Sequence, residues 1–378
     1  MPKQKYYSLE DIWKTGADYL LLNGERSNGK SYSAKAAALK MAWTECDPFT
    51  GEKVRRYQFA YLRRREKEAN GTDALGWLAD MVEDSNGGRY IETLTNGEAD
   101  HICYFRKKLF FAKYDADGKS IKIKECGHVF ALSIENQYKS LAFPLVGLMI
   151  FEEYITVDGY LNREIMKLQS LTSTIFRRDA GRVILVGNTM SRACPYFQEW
   201  GLVNAIKQQP GTIDIYEHGT DQIDDETGEI VVVRIAVEFC ENSGNNSKMF
   251  FGQGSKMVTS GEWYSEEQPK LSKSFDEYEE MWPIGFYYSG IGFYGRVLYD
   301  PEKQYFLLYV EPWQPESFPE DLRILSDAHA LEMNVTQTWD THFRHDADVR
   351  RLIEQNKLAF SDNLTGTEFR QMLIDNVL

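Results

Sequence analysis

One eight-residue segment near the amino terminus constrains the fold of this 378-residue chain more than any other feature. Residues 24–31 have the sequence GERSNGKS, which matches the phosphate-binding pattern G-x-x-x-x-G-K-[ST] at every position. Glycines allow the backbone to curl so that successive N–H groups point inward at phosphate oxygens. The apolar segment 19–23 predicts a strand before the loop, and the alanine-rich segment 30–43 predicts a helix after it. The segment therefore predicts a strand, an anion-binding loop and a helix in direct succession.

This loop predicts a site for ATP and Mg²⁺. The helix after the loop presents the positive end of its dipole to the bound anion. Lys30 is expected to reach the β- and γ-phosphates, and the Ser31 hydroxyl is expected to be one ligand of Mg²⁺. The candidate nucleotide-binding residues are Gly24, Glu25, Arg26, Ser27, Asn28, Gly29, Lys30 and Ser31.

A second apolar segment ends in two carboxylates. Residues 146–151 are VGLMIF, and Glu152 and Glu153 follow directly. In a P-loop ATPase the first acidic residue holds Mg²⁺, directly or through water, and the second polarises the attacking water. We therefore expect Glu152 at the metal and Glu153 in the catalytic role. Glu152 is one methylene longer than the Asp that most such proteins have, so the mode of its metal contact is left open.

Two other classes of nucleotide enzyme lack support in the sequence. It contains no Asn-Lys-x-Asp base-reading motif of GTPases and no kinase catalytic loop. Hydrolysis coupled to mechanical work fits these motifs better than phosphoryl transfer to a small molecule.

Apolar strands alternate with helices in the first part of the chain, which predicts an α/β fold. The pattern is that of a parallel sheet covered on both faces, with strands expected at 19–23, 57–62, 146–151 and 182–186. A capping box at 8–11 predicts a short first helix. The segments 212–216 and 230–239 flank an acidic turn and predict an antiparallel hairpin that closes this domain.

The composition divides the chain into three parts. We expect a P-loop (ASCE-type) ATPase domain at 1–241, a polar linker at 242–272 and a smaller α+β domain at 273–378. In the last part, 291–299 and 304–310 predict a hairpin around a proline-containing turn. The segment 346–358 predicts a helix.

The charge of the chain argues against a uniformly basic face for nucleic acid. The formal net charge is −14, and residues 273–378 carry nine basic and nineteen acidic residues, a net of −10. The first 272 residues therefore carry −4, and DNA contacts would have to come from local groups. The local basic groups are 63–65 and 106–108, which equally fit solvated strand ends. Residues 63–65 follow a predicted parallel strand near the nucleotide site, so they also fit a subunit interface.

Other features argue against metal clusters and membrane insertion. The five cysteines are scattered and include no Cys-x-x-Cys pair, so neither a disulfide framework nor a zinc cluster is expected. The longest apolar stretch, 141–151, contains a proline and is about half as long as a membrane-spanning helix. We expect a soluble intracellular protein that does not contact a membrane.

The order and spacing of these motifs resemble a family of viral proteins. The chain resembles the DNA-packaging ATPase of small short-tailed, protein-primed phages of the picovirus type. That family is related to terminase large subunits and to FtsK/HerA-type translocases. The stretches that carry the resemblance are 23–32, 61–64, 131–140, 150–155 and 175–197.

The resemblance implies a homopentameric ring on the portal of an empty capsid, which pumps double-stranded viral DNA inward in the host cytoplasm. Lys139 resembles a basic residue that a neighbouring subunit inserts toward the nucleotide, and Arg177 or Arg178 resembles an arginine finger. Arg26 matches an arginine inside the family's loop, and Asn188 resembles a polar group that senses the γ-phosphate. A packaging RNA between the ring and the portal is left open.

The resemblance also implies a vestigial RNase H-like fold for the C-terminal domain. A nuclease of that class needs clustered carboxylates, one of them on the first strand. The strands expected at 286–289 and 291–299 contain no Asp or Glu, so no cleavage activity is expected. Asp340, His342, His345 and Asp346 form the most metal-like cluster there, and a solvated helix start fits them better.

Two alternative functions remain open at this point. One is a cellular FtsK/HerA-like DNA pump, and the other is a P-loop protein that binds nucleotide as a switch or assembly factor.

Overall fold

The computed structural model describes most of the chain, with several gaps. The described residues are 6–25, 28–156, 159–177, 181–189, 191–192, 194–223, 228–241, 265–288, 291–313, 324–326, 337–338 and 347–376. Within these residues, no helix is both long enough and apolar enough to span a membrane.

The described elements alternate between helices and strands, as expected of an α/β protein. The helices are α1 (Glu10–Lys14), α2 (Lys30–Thr44), α3 (Gly71–Trp77), α4 (Ala79–Val82), α5 (Tyr90–Leu94), α6 (Glu164–Phe176), α7 (Pro195–Glu199), α8 (Ala347–Glu354) and α9 (Asn363–Asn376), with 3₁₀ helices at Glu66–Glu68, Leu132–Tyr138 and Phe275–Glu277. The strands are β1 (Tyr19–Asn23), β2 (Gln58–Arg63), β3 (His101–Phe105), β4 (Lys108–Tyr114), β5 (Ser120–Ala131), β6 (Val146–Glu152), β7 (Arg182–Val186), β8 (Thr212–Ile223), β9 (Ile230–Phe239), β10 (Glu279–Tyr288), β11 (Ile291–Asp300), β12 (Tyr305–Trp313), β13 (Ile324–Ser326), β14 (Gln337–Thr338) and β15 (Leu358–Phe360).

The first sheet has nine strands in the order β3-β4-β5-β2-β6-β7-β1-β9-β8. The run from β5 to β9 is parallel throughout, and the strands outside it pair antiparallel. Parallel strands place their carboxyl ends at one edge of a sheet. The ends of β1, β6 and β7 therefore meet where the sequence predicts the nucleotide site.

Both faces of this sheet are covered. Successive side chains of a strand point to opposite faces, and β1 shows the consequence. Leu20 and Leu22 join the core formed with α2, whereas Leu21 joins the core formed with α6. The parallel, doubly covered sheet predicted from the sequence is therefore confirmed for its central strands.

The sequence interpretation missed the antiparallel extension at one edge. β3, β4 and β5 continue the sheet beyond β2, and Arg106 and Lys107 form the tight turn between β3 and β4 with φ values of 51° and 65°. Positive φ at both central residues is typical of the turn that fits a twisted hairpin.

The predicted capping box was also wrong in detail, because Leu9 is the N-cap of α1 and no side chain caps it.

The hairpin at the other edge was predicted correctly. β8 pairs antiparallel with β9, and β9 in turn pairs parallel with β1. The predicted acidic turn at 224–228 lies outside the described residues except for Gly228.

The C-terminal region forms a separate sheet with its own core. Its strand order is β14-β13-β10-β11-β12-β15, in which β10, β11 and β12 are antiparallel neighbours and the remaining pairs are parallel. The core packs Phe286 and Phe293 of the sheet against Phe369 of α9.

Two expectations for this region were wrong in extent. β10 begins at Glu279 and β11 ends at Asp300, so the first two strands are not free of acidic residues. The helix predicted at 346–358 ends at Glu354, and Leu358 instead begins β15 by pairing with Leu308 of β12.

The predicted domain boundaries stay a prediction. Most of the proposed linker, 242–264, lies outside the described residues. Its last part contacts the C-terminal sheet, since Pro269 O accepts a hydrogen bond from the Phe360 amide at 2.8 Å.

Candidate nucleotide site at the carboxyl edge of the parallel sheet

The phosphate loop joins β1 to α2, as the sequence predicts. Gly24 has φ 142° and Gly29 has φ 98°, conformations that residues with a side chain rarely adopt. A Cβ on Gly24 would lie 3.1 Å from the carbonyl oxygen of Cys240. Glycine is therefore required at the start of the loop both by backbone conformation and by the close approach of the strand end after β9.

Lys30 lies inside the loop that it closes. Its side chain is buried, and Nζ donates to the Glu25 carbonyl oxygen at 2.5 Å and to Asn28 Oδ1 at 3.2 Å. Burial lowers the pKa of Lys30, since it disfavours the charged ammonium. The cation is thus held in the concave part of the loop by oxygen atoms with which a phosphate would compete.

The two candidate metal ligands lie side by side. Ser31 Oγ donates to Glu152 Oε2 at 3.1 Å, although 121 residues separate them in sequence. Glu152 is the last residue of β6 and is buried. Burial raises the pKa of Glu152, and the hydrogen bonds from Trp77 and Ser31 oppose that effect.

Trp77 is a residue of this site that the sequence interpretation missed. Its Nε1 donates to Glu152 Oε1 at 3.0 Å, and its ring stacks on Tyr61 with centroids 4.2 Å apart. Lys35 Nζ donates to the Trp77 carbonyl oxygen at 2.9 Å and to Asp80 at 2.6 Å, which ties α3 and α4 to α2. No local sequence pattern marks Trp77, because its role depends on a contact across 75 residues.

Glu153 leaves the strand in an exposed position. It has φ 59°, its side chain is 58% exposed, and Oε2 accepts a hydrogen bond from Arg63 Nη2 at 2.7 Å. Arg63 also lies 3.5 Å from Glu68. The candidate catalytic carboxylate is therefore paired with a cation of the neighbouring strand β2.

Arg64 is buried and cannot be a surface contact for DNA. Its guanidinium pairs with both oxygens of Glu164 at 2.9 and 3.0 Å. It also donates to the carbonyl oxygens of Glu153 and Tyr154 at 2.8 and 2.9 Å. The interpretation of 63–65 as one basic patch was therefore wrong for its central residue.

The loop that follows β7 carries Asn188 beside the phosphate loop. The Gly187 amide donates to the Leu22 carbonyl oxygen at 2.9 Å, and the Thr189 amide donates to the Gly24 carbonyl oxygen at 3.2 Å. Asn188 lies between these two anchored residues and is half-buried.

Lys139 and Arg177 lie apart from this cluster, on the side of the sheet that α6 covers. Lys139 is exposed and lines a groove of about 490 Å³ with Arg163, Met166 and Lys167. Arg177 follows α6 with φ 56°, and its Nη2 donates to the Leu141 carbonyl oxygen at 3.1 Å.

Several predicted residues lie outside the described part of the chain. They are Arg26 and Ser27 of the phosphate loop, Arg178, and the C-terminal cluster Asp340, His342, His345 and Asp346.

An N-terminal segment closes the far side of the phosphate loop. The Tyr7 amide donates to the Asn28 carbonyl oxygen at 3.1 Å, and the Tyr7 hydroxyl donates to Glu238 Oε2 at 2.6 Å. Burial raises the pKa of Glu238 to about 7.

The residues at this edge fit a phosphate group with Mg²⁺. Magnesium takes one or two protein ligands and several phosphate or water oxygens, which matches the hydroxyl of Ser31 beside the carboxylate of Glu152. Among the described residues, the buried Asn23 Nδ2 at the entry to the loop has no hydrogen-bond partner. An unpaired buried donor at the loop is expected where an acceptor from a ligand completes the site.

Comparison with known proteins points to one biological setting. Residues 100–242 match the family model of the podovirus DNA encapsidation protein (Gp16). A DNA packaging protein of Bacillus phage B103 is 27% identical over 281 residues, which are 67% of this chain and 76% of that protein. The resemblance to phage DNA-packaging proteins is confirmed. The DNA packaging proteins of Bacillus phages PZA and phi29 are 25% identical over 229 residues, which are 60% of this chain and 58% of each relative.

Solved structures of similar proteins give weaker matches. The phi28 gp11 DNA packaging motor aligns over all of this chain with 16% identity and a TM-score of 0.48. The phi29 viral genome packaging motor assembly aligns over 97% with 19% identity and a TM-score of 0.49. The N-terminal domain of the phi29 DNA packaging ATPase covers 64% of this chain, with 21% identity and a TM-score of 0.43.

Trp77→Phe is expected to weaken Mg²⁺ binding while leaving the fold intact. The substitution removes the hydrogen bond to Glu152 but keeps an aromatic ring against Tyr61. Loss of a hydrogen bond that orients a metal ligand typically lowers metal affinity about 10–100-fold. The measurement is a Mg²⁺ titration of the binding of a fluorescent ATP analogue. The matched control is Trp43→Phe, which lies at the end of α2 that is remote from the phosphate loop. Equal Mg²⁺ affinity in both variants would contradict the role of Trp77 in orienting Glu152.

Glu238→Gln is expected to flatten the pH dependence of stability. With a folded pKa of about 7 and an unfolded pKa of about 4.5, Glu238 holds a proton in the folded state that the unfolded state has lost. Its contribution to the free energy of unfolding is therefore full at low pH and is lost as the pH rises through 7. Urea unfolding between pH 5 and pH 8 measures this slope, and identical slopes in the variant and the parent would refute the assignment.

Proposed function

We propose that this chain is the subunit of an ATP-hydrolysing ring motor that moves double-stranded DNA into a phage capsid. The observation that carries the proposal is the contact between Ser31 of the phosphate loop and Glu152 at the end of β6. A hydroxyl and a carboxylate that lie 3.1 Å apart, beside a loop that holds a lysine, would suit Mg²⁺ bound together with a nucleotide. The similarity to DNA encapsidation and DNA packaging proteins of phages indicates that the work driven by hydrolysis is DNA packaging.

The residues at the carboxyl edge of the parallel sheet would have different roles in ATP hydrolysis. The loop amides and Lys30 bind the phosphates, and Ser31 and Glu152 would hold Mg²⁺. When bound there, Mg²⁺ would supply positive charge to offset the negative charge that develops on the transferring phosphoryl group. Glu153 accepts a proton from the attacking water as general base. Arg63 Nη2 donates to Oε2 of this carboxylate at 2.7 Å, so that oxygen can accept the proton only after the contact opens.

The ring arrangement explains the position of the remaining candidates. The Arg177 guanidinium donates to the Leu141 carbonyl oxygen at 3.1 Å, and the exposed Lys139 side chain lines the groove beside α6. A cation that does not serve its own site is available to a neighbour. Lys139 and either Arg177 or Arg178 would then act in trans, Arg26 would contact the nucleotide from within the loop, and Asn188 would sense its γ-phosphate.

The surroundings of the motor follow from the same proposal. The ring is homopentameric and docks on the portal of the procapsid in the host cytoplasm, with double-stranded DNA in its channel. Whether a packaging RNA lies between ring and portal is left to experiment.

The strand order supports an RNase H-like ancestry for the C-terminal region. Three antiparallel strands, β12-β11-β10, continue into the parallel strands β13 and β14. Three of the acidic residues on these strands form ion pairs, since Glu280 and Glu311 pair with Arg296 at 2.8 and 3.0 Å and buried Asp300 pairs with Lys273 at 2.9 Å. Nuclease activity is therefore not part of the proposal.

Lys30→Ala and Glu153→Gln are expected to abolish ATP turnover for different reasons. Lys30→Ala removes the phosphate-binding cation and should lose nucleotide binding. Glu153→Gln should still bind ATP but lose about 10²–10⁴-fold in kcat, the usual contribution of a general base. Steady-state ATPase assays with DNA, together with nucleotide-binding titrations, separate the two effects.

The matched control for Glu153→Gln is Glu68→Gln, which removes the other carboxylate near Arg63. It should retain turnover. A parent protein that binds ATP and assembles without DNA-stimulated hydrolysis would instead favour the nucleotide switch.

Mixed rings are expected to recover activity if the cations act in trans. Lys139→Ala subunits keep an intact phosphate loop, and Lys30→Ala subunits keep the cation. A cation supplied by a neighbour accelerates hydrolysis by about 10³–10⁵-fold, so mixtures of the two should exceed either variant alone in ATPase assays. Arg177→Ala and Arg178→Ala are mixed in the same way.

Mixtures of Lys30→Ala and Glu153→Gln subunits are the negative control, because each carries a defect in its own site. Equal activity in the two kinds of mixture, with ring assembly verified, would refute the trans role.

A further inference from the structure

The loop after β7 contacts both chemical segments of the candidate site. We call the described residues 187–189 and 191–192 the β7 loop. Its amides at Gly187 and Thr189 bond to Leu22 and Gly24, as described above. A Cβ on Gly187 would lie 2.7 Å from the Tyr154 ring and 2.9 Å from Ile155, just after the acidic strand end. The loop therefore cannot move without disturbing the phosphate loop or the segment that follows Glu153.

The same loop contacts helix α9 of the C-terminal unit through an ion pair. Arg192 Nε lies 2.6 Å from Glu368 Oε1, and Arg192 Nη2 lies 2.7 Å from Glu368 Oε2. Two parallel N–H···O bonds of this kind fix orientation as well as distance. The Glu368 side chain is 2% exposed and that of Arg192 is 25% exposed. The pair is thus largely shielded from water, where an ion pair is weakened least.

Glu368 belongs to a rigid part of the C-terminal core. It lies on α9, and its neighbour Phe369 packs edge-on against Phe286 of β10 and Phe293 of β11. Asp362 accepts a hydrogen bond from the Thr365 amide at 2.8 Å at the start of the helix. A force on Glu368 is therefore transmitted to the whole C-terminal sheet.

Stability alone does not account for such a pair. Replacing a buried ion pair by apolar side chains of similar volume is often neutral or stabilising. What the charges supply is a defined orientation between two units that have separate cores. That orientation links the β7 loop, and hence Gly24, to the position of the C-terminal sheet.

We propose that Arg192 and Glu368 are positioning residues that couple the nucleotide state of the phosphate loop to the placement of the C-terminal unit. The coupling rests on the proposed ATP-binding function, whereas the anchoring of the β7 loop does not. Because coupling between two sites is reciprocal, a ligand of the C-terminal unit would change nucleotide affinity by the same factor. The pair would thereby connect hydrolysis with movement of the second unit.

The first test concerns the anchoring and needs no nucleotide. The double variant Arg192→Met/Glu368→Met should unfold at a urea midpoint close to that of the parent, because no charge is left buried alone. Hydrogen–deuterium exchange at the amides of Gly187 and Thr189 should nevertheless accelerate by about tenfold or more, as expected when bonds to charged groups are lost. The control is Arg234→Met/Glu217→Met, an exposed pair on β8 and β9. Unchanged exchange in the double Met variant would overturn the proposal.

The second test concerns the coupling. Addition of a non-hydrolysable ATP analogue with Mg²⁺ should alter exchange of the α9 amides in the parent and in the control variant. The double Met variant should bind the analogue but lose this remote response. A full response in that variant would overturn the coupling. Failure of the parent to bind the analogue would refute the proposed function, and the first test would still decide whether the pair anchors the loop.

Discussion

Parallel pairing of β7 with both β1 and β6 is the constraint on which the candidate site depends. In the observed register Leu22 and Glu152 both lie opposite Val186, so these three residues form one row across the sheet. Gly24, Glu153 and Asn188 each lie one or two residues beyond that row. Three segments that are far apart in sequence therefore meet at one level because the strands between them are parallel and in this register.

The phosphate loop could be predicted from sequence because all of its determinants are local. Two glycines, a lysine and a serine stand at fixed spacing, with a strand before them and a helix after them. The pairing of this loop with Glu152 could be expected for the same reason, since parallel strands converge at their carboxyl ends. Trp77 could not be predicted, because its hydrogen bond to Glu152 arises only after α3 packs beside α2.

The basic groups show why residue type alone gives little information about role. Arg63, Arg64 and Arg65 are adjacent in sequence, but Arg63 is the last residue of β2 and the other two lie beyond the strand. Arg63 pairs with Glu153 near the surface, whereas Arg64 is buried against Glu164. The helix boundary near 358 was missed for a related reason, since Leu358 pairs with Leu308 of a strand fifty residues earlier in the chain.

The same long-range effects decided the edges of the first sheet. The segments that form β3 and β4 are short and mix polar or charged residues with aromatic ones, so neither has a clear period of its own. They become strands because β5 offers a free edge beside β2. The central strands have apolar interiors that are buried on both faces, which made them easy to identify from sequence.

The burial of Arg64 has a mechanical consequence. One guanidinium is bonded to the backbone just after the acidic tip of β6 and to Glu164, the first residue of α6. Lys139 and Arg163 line the groove at this same end of α6. A neighbour that pushed on the groove and tilted the helix would have to stretch these bonds or pull the backbone beside Glu153 along with it. Arg64 thus connects the surface groove to the backbone beside the candidate catalytic carboxylate by a route that does not pass through the phosphate loop.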